Sequence, residues 1–411
     1  MFRLARELAG ISYSKIAAEC DIKPERVGTL ARGQGSVTSF DKVVAIADAL
    51  RIPGHLLGLA PRPWEGTASA PVLPDRDEDT SARGREDVRR RQFLRAGSGA
   101  GLAVGIPDLV MQRAGRRIGR EFPALLRERT ARLRRLDDVL GGGDTYRVYL
   151  GEYQQTKALL RDSTCAEETR LNLLSVLAEQ AQQAGWAAFD GGRETDAAGL
   201  YKDSYSAAVE AGDTDLAGNA LAFLAYQTVA GDRKAGVEIA ARSCRTIAHD
   251  APAGVRALLH ERMAWACAVA GLATDAEKAL HHAEEALADI DSAPQPDWVA
   301  WVDSNELQIM SGRCWSELHR PLRAVPVLEA ALARYDDSHA RDKALYLSWL
   351  ADSYLTAGEI EQAAKVTGRT LDLADGIASV RPKQRLAPFL KRLAQHRDVP
   401  AVADVLEKAA A

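Results

Sequence analysis

No run of apolar residues in this 411-residue chain approaches the ~18 that a membrane-crossing helix needs, so no membrane partner is expected. The five cysteines, Cys20, Cys165, Cys244, Cys267 and Cys314, are odd in number, far apart and without a Cys-x-x-Cys pair. That excludes a disulfide framework and an ordinary zinc site, and it fits a reducing, cytoplasmic compartment. Phosphate-loop, nucleophile-elbow and His-Glu-x-x-His sequences are missing, so the chain reads as a non-enzyme without cofactor. Gly97-x-Gly99-x-Gly101 has the wrong spacing for a dinucleotide loop, and no strand pattern precedes it. His281 and His282 are adjacent and would diverge by about 100° on a helix, a poor chelate. The first residues carry Glu7 and no apolar stretch of the kind a secretory signal needs.

The net charge of −4 hides an asymmetry. Residues 1–60 sum to +2, residues 85–135 to +9, and residues 136–411 to about −13. The basic N-terminal third suits a polyanion, whereas the acidic remainder does not. Arg outnumbers Lys 41 to 12, the bias of a GC-rich coding sequence.

Nearly all of the chain has helical periodicity, with apolar residues recurring at three and four and Ala, Leu, Arg and Glu dominant. The breaks are the Pro-, Gly- and Ser-rich residues 61–84, the Gly-rich residues 96–107 and Gly141-Gly142-Gly143. The expected organisation is a DNA-binding domain over 1–60, a flexible basic linker over 61–95, a connecting helical segment over 96–144 and a repeat domain over 145–411. Arg90-Arg91-Gln92-Phe93-Leu94-Arg95 resembles a twin-arginine export signal. It stands behind a whole predicted domain, and a basic linker helix is expected there instead.

Five short helices are expected within 1–60, at about 2–9, 13–20, 24–32, 39–50 and 53–59. Ser12 caps the second, and Ile16, Ala17 and Cys20 form its buried face. Asp21-Ile22 makes the turn, and Pro24 opens the third helix, where its missing N–H costs nothing. Val27, Leu30 and Ala31 bury that helix, and Gly33 ends it. This spacing resembles the lambda-repressor-like (Cro-type) helix-turn-helix, with Ile16-Ala17, Ile22, Val27 and Gly33 at its signature positions. Tyr13, Asp21 and Ala31 depart from the pattern.

The resemblance implies a recognition helix in the major groove, with Lys23, Glu25, Arg26 and Thr29 toward base edges and Arg26 suited to guanine. Ser14, Lys15, Arg32, Gln34, Ser36 and Ser39 would lie along the phosphates and fix position.

From about residue 170 the chain repeats. Candidate turns fall at Gly191, Gly231, Gly271, Leu318 (where Gly is replaced) and Gly358, with spacings of 40, 40, 47 and 40. Seven residues before each stand Ala184, Leu224, Ala264, Ser311 and Ala351. Five residues after, Ala276 and Ala363 fit a small-residue rule, whereas Gly236 and Arg323 depart from the family's Ala. The pattern resembles the tetratricopeptide repeat, which implies an α-solenoid of five to six helix pairs with a concave groove. Counted from those turns, Glu261, Trp265, Asn305, Gln308, Trp315, Ser348 and Asp352 should face the groove and hold a ligand.

The expected fold is therefore all-α: a five-helix helix-turn-helix DNA-binding domain followed by a tetratricopeptide-like α-solenoid. The expected function is a bacterial, sequence-specific transcriptional regulator, a homodimer on a double-stranded DNA operator. Its repeat domain would sense a peptide or small-molecule ligand, with no metal. The alternative is a repeat-based protein-binding scaffold with an adaptor helix-turn-helix domain.

Overall fold

The computed structural model describes residues 117–135, 142–335, 339–375 and 379–410, together with Ala17 and Val27. The DNA-contact residues expected at Ser14, Lys15, Lys23, Glu25, Arg26, Thr29, Arg32, Gln34, Ser36 and Ser39 lie outside the described residues. Ala17 and Val27 are helical and buried.

The described residues are all-helical, with one isolated bridge between Arg117 and Thr164. The chain divides into two compact units, Met1–Ile118 with Leu150–Thr164, and Gly119–Tyr149 with Cys165–Ala411.

In the second unit α1 (Phe122–Arg134) starts on Pro123 and buries Pro123, Leu126, Thr130 and Leu133 at a spacing of three and four. It packs on α3 (Glu167–Asp190), where Gln180 donates to Thr130 at 3.1 Å. Helix α2 (Gly142–Asp162) begins at the triple glycine for a steric reason. A Cβ on Gly142 would stand 2.5 Å from the Ala187 carbonyl oxygen, and the Gly142 N–H donates to Asp190 at 2.8 Å.

Five helix hairpins follow: α3 with α4 (Glu194–Ala211), α5 (Thr214–Thr228) with α6 (Arg233–Thr246), α7 (Ala253–Val269) with α8 (Ala273–Ala288), α9 (Ser304–Glu317) with α10 (Pro321–Leu332), and α11 (Ala340–Ala357) with α12 (Ile360–Ala374). Helices α13 (Arg381–Leu393) and α14 (Pro400–Ala410) finish the chain. Within each hairpin the two helices pack together, and each first helix also touches the next first helix. First helices are buried on several sides, with polar side chains such as Gln182, Glu261, Glu306 and Arg313 among the buried residues. Second helices such as α8 bury one stripe, Ala276, Ala279, Leu280, Ala283 and Ala286. Asp213, Asp232 and Asp303 cap α5, α6 and α9 by accepting from backbone N–H groups at 2.8–3.0 Å.

The turn register differs from the sequence expectation at two hairpins. The left-handed residues are Gly192 and His319, each one position later than Gly191 and Leu318, with Gly271 and Gly358 as expected. The turn after α5 has none. His319 takes φ +54°, a conformation that costs a side chain about 1 kcal/mol or more. That explains why a search for glycine misses it.

With the corrected register the small-residue rule improves. Ala197 and Ala324, five positions after Gly192 and His319, are fully buried, as are Ala276 and Ala363. Seven positions before stand Gly185, Ala264, Gly312 and Ala351. A Cβ on Gly185 would meet the Tyr201 ring at 2.5 Å, and one on Gly312 would meet Leu328 at 2.5 Å. At these points the two helices of the hairpin stand too close for a Cβ. The longer third spacing arises from residues 289–303, which insert two short 3-10 turns between α8 and α9.

The largest apolar cluster runs through the middle hairpins and includes Trp265, Ile309, Met310, Trp315, Leu328 and Trp349. A separate one joins Ala351, Leu386, Phe389, Leu393, Val402 and Val405 near the C-terminus.

Candidate functional site

The first helices of the hairpins carry a ladder of aromatic rings and guanidinium groups. The turn register places Trp186, Trp265, Arg313 and Asp352 at one shared position, six residues before the left-handed residue of α3, α7, α9 and α11. On α5, Tyr226 joins the same line. Trp186 lies 6.1 Å from Tyr226, Tyr226 stacks on Trp265 at 5.9 Å, and Trp265 meets Trp349 edge-on at 5.6 Å.

Arg313 is the centre of this ladder. Its guanidinium lies between Trp265 and Trp349, 4.4 and 4.3 Å from the ring centroids. It donates to the Tyr226 hydroxyl at 2.9 Å, and its Nε meets no acceptor. The side chain is 2% exposed, yet no carboxylate among the described residues comes within ion-pair distance of it. The aromatic faces replace part of the lost hydration of this buried cation.

Two more guanidiniums converge on Tyr226. Arg381 donates to the same hydroxyl at 2.9 Å and lies 4.6 Å over Trp186, and Arg262 lies 5.4 Å over the Tyr226 ring. Burial alone would raise the Tyr226 phenol. The three cations outweigh it and bring the phenol down to about 8. The neighbouring Glu261 is fully buried, and neither carboxylate oxygen accepts a hydrogen bond. Its one ion-pair contact is Arg262 at 3.4 Å, and burial pushes it up to about 8. Glu306 is also pushed up by burial; it accepts from Tyr335 at 2.9 Å and from Tyr346 at 3.1 Å.

The chain itself covers part of this line. Residues 379–381 return to the first hairpin, 189 positions away in sequence. Ser379 donates to the Asp190 carboxylate at 2.8 Å, the Val380 N–H donates to the Asp190 carbonyl at 3.0 Å, and Arg381 pairs with Asp190 at 3.7 Å. Further along α13, Arg385 reaches Asp352 at 2.7 Å and Glu317 at 3.4 Å and lies over Trp349, and Arg392 reaches Asp352 at 2.5 Å. Helix α13 carries five basic residues and no acid, which suits it to these acids.

Of the seven residues expected to hold a ligand, Glu261, Trp265, Trp315 and Ser348 are buried and Asn305, Gln308 and Asp352 are half-buried. Glu261 and Trp265 belong to the ladder. Asp352 is occupied by the two arginines of α13. Ser348 donates to its own helix at Leu345, and Gln308 accepts from Arg334 at 3.2 Å. The Asn305 Oδ1 atom is buried without a partner. Trp315 points to the second helix of its own hairpin, where Arg323 lies 3.9 Å over it. The sequence reading missed Arg313, Tyr226, Trp349, Arg381 and Arg385. Moving the fourth turn from Leu318 to His319 puts Arg313 in line with Trp186 and Trp265, so the one-residue slip is what hid it.

The arrangement is a packed cation–aromatic array. Burial pushes the Cys244 and Cys267 thiols up to about 11, so they are not thiolates near neutrality. Among the described residues no three His, Cys, Asp or Glu side chains gather to hold a metal.

The Tyr226 titration is testable. The unfolded phenol ionises near 10, so its stabilising contribution is present at high pH and lost as pH falls through about 8. Ultraviolet difference absorbance of the folded protein should show one phenolate forming near pH 8. In Arg313→Met, which keeps volume and removes a cation, that step should move up by at least about one unit. An unmoved step in the variant would show that Arg313 is not its cause.

No family model matches this chain, and no curated protein matches it either.

Proposed function

We propose that this protein is a sequence-specific DNA-binding transcriptional regulator. Its N-terminal 60 residues form a Cro-type helix-turn-helix, and its tetratricopeptide-like helical body dimerises and senses a peptide or small molecule. The observation that carries the reading is the run from Ser12 to Gly33, whose pattern buries Ala17 in one helix and Val27 in the next. The helical, buried state of those two residues supports it. The charge distribution also favours it, with the positive charge in the N-terminal third and about −13 over residues 136–411.

In this reading Arg26 donates both arms of its guanidinium to a guanine edge, Glu25 accepts from cytosine, and Lys15 and Arg32 hold phosphates. Two copies double the phosphate contacts, which offsets the weak +2 charge of one domain.

The test is retention of sheared genomic DNA by the full-length protein at physiological salt, followed by sequencing. Enrichment of one or a few sites is expected. Arg26→Ala should cost about 1–3 kcal/mol at those sites and blur the preference at one base pair. Equal retention of all sequences by both proteins, or no retention at any salt, would defeat the reading and leave the protein-binding scaffold.

A further inference from the structure

Beside the aromatic ladder lies a cavity of about 590 Å³, within the usual range for small-molecule sites. Its apolar wall comes from Phe189 of α3, Leu224 of α5 and Ile239 of α6, and its polar groups include Lys202 of α4, Gln227 of α5 and Gln384 of α13. We propose that this cavity is a ligand site for a small amphipathic anion: a flat apolar body bearing one acidic group. The proposal deepens the sensing part of the function above and rests on it.

Two observations define the ligand. The Lys202 ammonium at the rim is exposed and makes no ion pair with any described residue, which leaves it for an acid. The apolar wall is formed by side chains that are only partly buried when the cavity is empty. The exposed carboxylate of Glu194 also lines the rim and opposes an anion. The acidic group must therefore sit on the Lys202 side.

Position gives the site its consequence. Gln384 stands between Arg381 and Arg385, the two arginines of α13 that reach the first hairpin and Asp352. An occupant touching Gln384 and Gln227 together bridges the first two hairpins and the returning C-terminal helix. Binding there reports on whether that helix is seated.

Anilinonaphthalene sulfonate has the stated chemistry: two aromatic groups and one sulfonate. Fluorescence titration of the full chain should show one saturable molecule per chain. Lys202→Gln should weaken it about fivefold and Glu194→Gln should tighten it by a few fold, both at exposed positions. Ala198→Trp, which fills the cavity from its wall, should abolish saturable binding, with circular dichroism melting as the check on folding. Unchanged affinity in both rim variants, or binding that survives a folded Ala198→Trp, would overturn the site and assign the dye to general apolar surface. No DNA is present in this titration. Its failure therefore leaves the operator reading standing, and a failure of DNA retention leaves the cavity test intact.

Discussion

Glu261→Gln should make the protein more stable at neutral pH, and the gain should shrink in acid. Glu261 is fully buried on α7, neither oxygen accepts a hydrogen bond, and burial, the largest influence, holds it protonated up to about pH 8. Arg262 and Arg313 pull the other way and do not cancel it. An acid whose folded pKa lies above its unfolded value binds an extra proton when folded. Its contribution is fully present below about pH 4.5 and is lost as pH rises through about 8. At pH 7 folding therefore protonates this carboxyl at a cost on the order of 3 kcal/mol, from 1.36 kcal/mol per unit of pKa. Glutamine has nearly the same shape, stays neutral and avoids that cost. Denaturant melts of both proteins at pH 5 and pH 7 check this. A stability difference that does not depend on pH would mean that Glu261 is ionised in the fold, held by the surrounding guanidiniums.

Gly312→Val should destabilise the protein by about 3 kcal/mol, the upper range for overpacking. The Cβ would stand 2.5 Å from the Leu328 Cγ and 2.6 Å from its Cδ2. Leu328 is itself fully buried, and its branch carbon sits too near the backbone to swing clear. Relief requires that α9 and α10 separate, which would loosen the packing of Trp315, Met310 and Ala324 between them. A valine in a helix costs only a few tenths of a kcal/mol more than a good helix former, so propensity cannot supply such a loss. Thermal melting of Gly312→Val beside Gly199→Val separates the two effects. Gly199 lies on α4 with nothing within 4 Å of its Cβ direction. Equal losses at the two positions would remove close helix approach as the cause.

The helical class and the hairpin spacing were legible in the chain because their causes are local. Apolar residues at three and four select helix. The small residues at 264, 276, 351 and 363 marked close helix approach at two hairpins for the same reason.

The ladder was only partly legible. Glu261, Trp265 and Asp352 follow from counting back from Gly271 and Gly358, whose left-handed turns glycine announces. Arg313 does not, because its turn is made by His319, a residue that pays for positive φ and gives no local sign of doing so. Only the tertiary structure decided that Glu261, Trp265, Trp315 and Ser348 are buried and that the arginines of α13 hold Asp352. The contacts of Ser379, Val380 and Arg381 with Asp190 join residues about 190 positions apart. No periodicity, cap or turn encodes such a meeting. It follows from how each hairpin stacks on the last, which brings the basic face of α13 to the acids at the ends of α3, α9 and α11.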